Sequence, residues 1–385
     1  MTAPRAGTKK RKQPAQDRYS RIVVKAGTTL LTDGAGGLDL PTMEGLVGQM
    51  AQLHRDGVDV IFVTSGAVAA GRHVLDTIRD SRDVPFRQVL AAAGQGRLMH
   101  SYEHLFGEHE ITVAQALLTR KDLQDRLGYL NVRNTLLALL ELRVIPIVNE
   151  NDVVSIDELA GEVFGDNDNL SAMVANLVDA DLLALLGQVE GLFTADPHVD
   201  PSATLIPIVD RLGDVEALGG RSWDGQGQGG MTTKIEAAKM AMASGIHVAI
   251  AGGRQPEVLT RLASGERIGT FFPATGSKME SRKRWMLSGV STKGEIVIDA
   301  GASSAITERN RSLLPAGVKE VNGSFARGDI VSISSLSNGQ VAAGIANYAS
   351  DELAHIKGQR SDRIEELLGH DFGDEAVHRN NMVVL

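Results

Sequence analysis

From residue 22 to about 272, short aliphatic runs alternate with longer amphipathic stretches, the pattern of βαβ units wrapped around a buried, mainly parallel sheet. The runs predict strands at 22–25, 58–64, 111–116, 144–148, 181–186 and 246–251. Apolar positions spaced three and four apart predict helices over roughly 42–54, 86–105, 130–142 and 170–178, with Gly57 and Gly245 marking helix ends. The alternation stops at 273–281, a stretch of linker composition. Beyond it, β-prone runs at 285–290, 295–299, 328–333 and 340–347, separated by Gly, Asn and Ser, predict a small β-rich module over 282–360. Residues 361–385 read as a polar tail with one short helical patch.

Composition narrows the class. The chain has 385 residues, 43% hydrophobic but only 4% aromatic, with 42 glycines, which suits an aliphatic α/β enzyme with many tight loops. It has no cysteine, so disulfides, thiolate metal sites and cysteine nucleophiles are excluded. A net charge of −9 argues against a protein that holds nucleic acid by general phosphate attraction. Residues 1–20 form a basic leader that reads as disordered; with no apolar stretch behind its charges it does not read as a secretion signal. No segment approaches the roughly 20 apolar residues needed to span a membrane.

Four clusters carry candidate chemistry. The first predicted strand ends in Lys25, followed by Gly27, Thr28 and Thr29. In an open α/β sheet ligands bind at the carboxyl ends of strands, so this lysine either neutralises phosphate oxygens or simply reaches solvent. A second strand ends in Thr64-Ser65-Gly66-Ala67, where small residues either let backbone N–H groups approach an anion or serve close helix packing. The stretch lacks the first glycine of a nucleophile elbow. Third, Asn149, Glu150, Asn151 and Asp152, with Asp166, Asn167, Asp168 and Asn169, crowd amides and carboxylates into two short stretches. Helix capping explains one or two of them; a site that holds an ammonium and a carboxylate together explains the density. A calcium loop would need glutamate where Ser171 stands. Fourth, Gly225 to Glu236 is a glycine loop running into a helix, with Lys234 in its first turn. No strand precedes it and no Walker A string occurs, so neither dinucleotide nor P-loop readings apply. A lysine there opposes the helix dipole unless an anion is bound. Two lysines, several anion-holding turns and an acidic-amide pocket, without an evident nucleophile, fit phosphoryl transfer.

In order and spacing, Lys25-Ala-Gly27-Thr28, Thr64 to Gly71, Asn149 to Asp152, Gly165 to Asn169 and Gly229 to Lys234 resemble the glutamate 5-kinases of the amino-acid-kinase family. The module that opens at Ser281 resembles their C-terminal PUA domain. The resemblance implies a three-layer αβα kinase domain over 21–272 with a mainly parallel sheet. It implies ATP-dependent phosphorylation of the L-glutamate side-chain carboxylate, the first step of proline biosynthesis, in the cytoplasm. Lys25 and Lys234 would hold ATP phosphates, with Asp168 orienting both. Ser65, Asp152, Asn167 and Asp166 would bind glutamate. Gly27, Gly187, Gln188, Gly229, Gly230, Met231, Thr232 and Thr233 would line the nucleotide. Mg2+ would arrive on the nucleotide phosphates rather than in a protein metal site. Proline as feedback inhibitor and a homodimer or tetramer are further family expectations. Gly187-Gln188 stands where the family usually has Thr-Asp, so the adenine-side contacts are expected to differ. The rival readings are a kinase of this fold acting on aspartate, an acetylated glutamate, carbamate or a nucleoside monophosphate, and an RNA-binding or regulatory protein centred on the C-terminal module. Twelve Lys and Arg against thirteen Asp and Glu from 281 onward leave that module no electrostatic footprint for RNA.

Overall fold

The computed structural model describes residues 19–33, 37–75, 83–155, 167–197, 199–215, 230–276, 292–335 and 339–385. The basic stretch 1–18, Asp166, Gly229 and the predicted strand at 285–290 lie outside them.

Seven strands form the first sheet: β1 (Arg21–Ala26), β2 (Asp59–Val63), β3 (Val113–Leu118), β4 (Ile145–Glu150), β5 (Leu182–Gly187), β6 (His247–Gly252) and β7 (Thr270–Phe272). Their order is β3-β4-β2-β1-β5-β6-β7, and every pairing is parallel except that of β6 with β7. The six strands predicted between 22 and 251 are all present; β3 begins two residues later than the apolar run, and the short antiparallel β7 carried no separate signal. The helices that matter here are α1 (Thr28–Leu31), α2 (Leu40–Arg55), α3 (Ala67–Val74), α4 (Val84–Gly107), α5 (Arg120–Gln124), α6 (Arg126–Glu141), α7 (Asn167–Leu177), α8 (Met231–Ala243) and α9 (Val258–Ala263).

The period-two alternation of each strand divides the core into two layers. Val23, Ile61, Val148, Leu183, Leu185, Val248 and Ile250 face α6, α7 and α8, and are buried against Leu130, Leu136, Val174, Ala237 and Met242. Ile22, Val24, Phe62, Leu182, Ala184 and Ala249 face the other way, onto α2, α3, α4 and α9, through Met43, Met50, Leu98 and Leu259. Lys25 shares the parity of Val23, so it emerges on the α7–α8 side. β1 is central, with neighbours leaving in opposite directions, which makes its carboxyl end the place where a crevice forms.

Small residues set the tightest packing. A Cβ at Gly71 of α3 would lie 1.8 Å from the Leu90 carbonyl oxygen of α4, and one at Gly94 would lie 1.9 Å from the Ala67 carbonyl oxygen. The two helices therefore touch backbone to backbone, and α4 supports the chain just after Ser65.

The second sheet runs β12-β11-β10-β8-β9, from β8 (Gly294–Ile298), β9 (Val318–Gly323), β10 (Ile330–Ser335), β11 (Gly339–Ile345) and β12 (Met382–Val384). It is antiparallel apart from the β8–β10 pair. Residues 361–385, read from the sequence as a polar tail, are built into this domain. Ile364, Ala376 and Val377 are buried, and β12 pairs with β11. The signal was diluted because its apolar residues are few and widely spaced, each anchoring an irregular stretch. Ile330, Ile345 and Val383 join the cluster that covers the α6 side of the first sheet, so the two sheets share packed apolar surface.

Gly94→Ala should lower the melting temperature clearly, because the new methyl meets the α3 backbone at both Ala67 and Gly71. Overpacking of this kind costs about 1–3 kcal/mol or more, read as a loss of about 2–4 °C per kcal/mol in a thermal scan. Gly96→Ala, which meets nothing within 4 Å, serves as the neutral control.

Candidate active site

The carboxyl ends of β1, β2, β4 and β5 open toward the same edge, and each brings a candidate group. Lys25 ends β1 and is only 2% exposed. A buried ammonium requires a counter-charge, and it finds Asp168: Lys25 Nζ lies 2.5 Å from Asp168 Oδ1. Asp168 sits in the first turn of α7, where a carboxylate suits the helix dipole. Its other oxygen accepts from Lys234 Nζ at 2.9 Å and from Thr233 Oγ1 at 2.9 Å, both in the first turn of α8. Burial alone would raise the carboxyl's pKa, but Lys234 and Lys25 together outweigh that and hold Asp168 well below the usual carboxylate range. Asp168 is fully buried, so one anion stands between two cations in low dielectric.

Glycines flank both lysines, and a side chain added at either would touch the lysine in ordinary van der Waals contact. A Cβ at Gly27 would approach Lys25 Nζ to 3.6 Å, and one at Gly187 would approach Lys234 Cε to the same distance. Gly27 N–H donates to the Leu186 carbonyl, and Gln188 Nε2 donates to the Thr29 carbonyl at 2.7 Å. Gln188 thus ties the loop after β5 to the short helix α1 that follows β1, a contact no sequence pattern announced. Gly230 precedes α8, while Met231 and Thr232 are partly exposed beside the lysine.

Beside this charged triad lies the amide cluster. α7 begins at Asn167, three residues earlier than its apolar periodicity suggested, because Asn167 and Asp168 face inward. Asn167 Nδ2 donates to Ser65 Oγ at 3.1 Å and to Asn149 Oδ1 at 3.2 Å. The Asn149 amide in turn donates to Gln95 Oε1 of α4 at 2.8 Å. Ser65, Asn149 and Asn167 are all buried. Asp152 lies in the turn after β4, which Gln88 of α4 braces by donating to the Val153 carbonyl. Burial first, then the charge of Glu150, pushes Asp152 up to about 7, with Arg87 pulling the other way. Glu150 accepts from the Ser155 hydroxyl.

The structure therefore brings Lys25, Asp168, Thr233 and Lys234 together, and Ser65 with Asn167. The adjacency of Asn167 and Asp168 in one helical turn joins the two halves. Gln95 went unnoticed in the sequence because a glutamine within a helix carries no spacing signal. The role of Thr233 toward Asp168 also needed the fold.

This arrangement defines a phosphotransferase-type site. Residues 20–252 match the amino acid kinase family model, and residues 294–368 match the PUA domain. Glutamate 5-kinase of Dehalococcoides mccartyi is 53% identical over 368 residues, 95% of this chain and 99% of that protein. Glutamate 5-kinases of Herpetosiphon aurantiacus and Shewanella oneidensis are each 48% identical, covering 96% and 95% of this chain and 99% and 98% of theirs. The chain belongs to the amino acid kinase family and, within it, to the glutamate 5-kinases.

Asp152 holds its proton more tightly folded than unfolded. Its contribution to stability is present below the ordinary carboxylate range and is lost as pH rises to about 7. On the expectation that Asp152 meets the substrate's ammonium, which needs the ionised form, KM should climb by up to about tenfold per pH unit below that value. Asp152→Asn should flatten this dependence in a KM series from pH 5.5 to 8.5, and a persistent slope would reassign it to another group.

Proposed function

We propose that the protein transfers the γ-phosphoryl group of ATP to the side-chain carboxylate of L-glutamate, giving L-glutamyl 5-phosphate and ADP, the first step of proline biosynthesis. The observation that carries the proposal is the Lys25–Asp168–Lys234 triad adjoining the Ser65–Asn167–Asn149 amide cluster. A glutamate carboxylate is already ionised near neutral pH and needs no general base. One of its oxygens bonds to phosphorus as the bond to the leaving ADP oxygen breaks, and no proton has to move.

The two ammoniums offset negative charge on the oxygens of the moving phosphoryl group, which is where a loose transition state concentrates it. Asp168 sets their separation. Gly27, Gly187, Gln188, Gly230, Met231, Thr232 and Thr233, with Gly229 outside the described residues, line the nucleotide, and α8 turns its N-terminal N–H groups toward the phosphates. The ammonium and N–H donors here suit phosphate oxygens rather than a cation, so Mg2+ would be held mainly by the nucleotide phosphates, whose charge it would neutralise. Ser65, Asn167 and Asp152, with Asp166 outside the described residues, hold the amino acid. A cytoplasmic setting, feedback inhibition by proline and assembly into dimers or tetramers belong to the same proposal, supported by the likeness to glutamate 5-kinases. A structural or regulatory role for the C-terminal domain is supported by Ile330, Ile345 and Val383 packing with the catalytic core. Among the described residues no helix is long and apolar enough to cross a membrane.

With ATP, glutamate and hydroxylamine the protein should yield the glutamyl hydroxamate, and aspartate, N-acetylglutamate, carbamate or UMP should not substitute. Lys25→Ala and Lys234→Ala should each lower kcat by about 10²–10³-fold, whereas Asp152→Ala should act mainly on the glutamate KM. Near-normal turnover in both lysine variants would remove the phosphate assignments.

A further inference from the structure

Asn167 Nδ2 faces Ser65 Oγ and Asn149 Oδ1, so both of its amide hydrogens are engaged by neighbouring side chains of the cluster. The carbonyl edge of the same planar group, whose oxygen is buried, therefore points the opposite way. That edge is a hydrogen-bond acceptor, the polarity an ammonium requires and a carboxylate does not. Asn167 adopts this orientation only while Asn149 presents its carbonyl. Asn149 does so because its own amide nitrogen is taken by Gln95 Oε1 at 2.8 Å. A chain of primary amides can run in either direction, and reversing all three would turn the Asn167 nitrogen toward the substrate.

We infer that Gln95 is a positioning residue that sets the direction of the Gln95–Asn149–Asn167 amide relay, so that the pocket offers an acceptor and selects an amino-acid substrate through its α-ammonium. This rests on the proposed phosphorylation of glutamate. Two further observations support it. Gln95 Nε2 is buried without a hydrogen-bond partner among the described residues, so Gln95 keeps its oxygen toward Asn149 at the cost of an orphaned donor. Its backbone has little freedom to relax that cost, since the adjacent Gly94 is pressed against α3 at the Ala67 carbonyl. The helix α4 thus braces both walls of the pocket, Ser65 through α3 and Asn149 through Gln95.

The test compares Gln95→Leu, Gln95→Met and Gln95→Glu in the full chain by steady-state kinetics with glutamate and with glutarate, which lacks the ammonium. An apolar side chain leaves Asn149 free to turn, and the glutamate KM should rise about tenfold or more, while the KM for ATP stays within about threefold and kcat changes less than the glutamate KM. Glutamate should also lose its advantage over glutarate. Gln95→Glu, which in its ionised form only accepts, preserves the direction and should restore the glutamate KM to within about threefold of wild type. In an Asn149→Ala background the Gln95→Leu effect should vanish, because the relay is already cut.

Gln95→Glu behaving worse than Gln95→Leu would show that the relay runs the other way. Equal losses for glutamate and ATP, or additive effects with Asn149→Ala, would leave Gln95 a packing residue only. Thermal unfolding of each variant separates loss of fold, and Gln95→Met supplies a second apolar side chain should Gln95→Leu not fold. Absence of glutamate turnover in the wild-type protein would instead overturn the proposed reaction. In that event the relay is tested by the loss of glutamate-induced thermal stabilisation in Gln95→Met and its retention in Gln95→Glu.

Discussion

A carboxylate with no solvent exposure, held between two ammonium groups, is the interaction on which the site depends. Asp168 could not remain ionised at that depth without Lys25 and Lys234, and neither lysine could stay buried without Asp168. The mutual requirement fixes three elements against one another: the end of the central strand, the first turn of α7 and the first turn of α8. The dipole cost of placing Lys234 at a helix N-terminus is offset by Asp168 now and by a phosphate when one binds.

The amide cluster is the neutral counterpart of that charged core. Asn167 is the residue before Asp168 in the same helical turn, so whatever fixes α7 for the lysines also fixes the amide for the substrate. Under the proposed reaction the division of labour is physical: charge on a moving phosphoryl group would be met by ammoniums, and an amino acid that must bind and leave by amides, a hydroxyl and a carboxylate of raised pKa. The glycine contacts between α3 and α4 keep this pocket from loosening, because helices in backbone contact cannot slide without collision.

Much of this was legible along the chain. The strands of the first sheet show as aliphatic runs because both of its faces are covered, and the strand-end lysine, glycine turns and carboxamide clusters stand out by composition. Lys25, Ser65, Asn167, Asp168 and Lys234 could all be picked out in that way. Less could be said of Thr233, Gln188 and Gln95, whose partners lie on elements remote in sequence. The closing segment illustrates the same limit: Ile364, Ala376, Val377 and Val383 are too scattered to show a period, yet each is buried once the second sheet exists.

The sequence by itself determined the alternation of strand and helix, the parity that puts Lys25 on the face of Val23, and the residue types available at the strand ends. These follow from local periodicity, which the chain carries whatever its neighbours do. Only the tertiary structure decided that α7 and α8 start beside that face, that one carboxylate serves both lysines, and that three amides line up end to end. Hydrogen bonds and ion pairs between distant residues depend on distances that no spacing in the chain encodes.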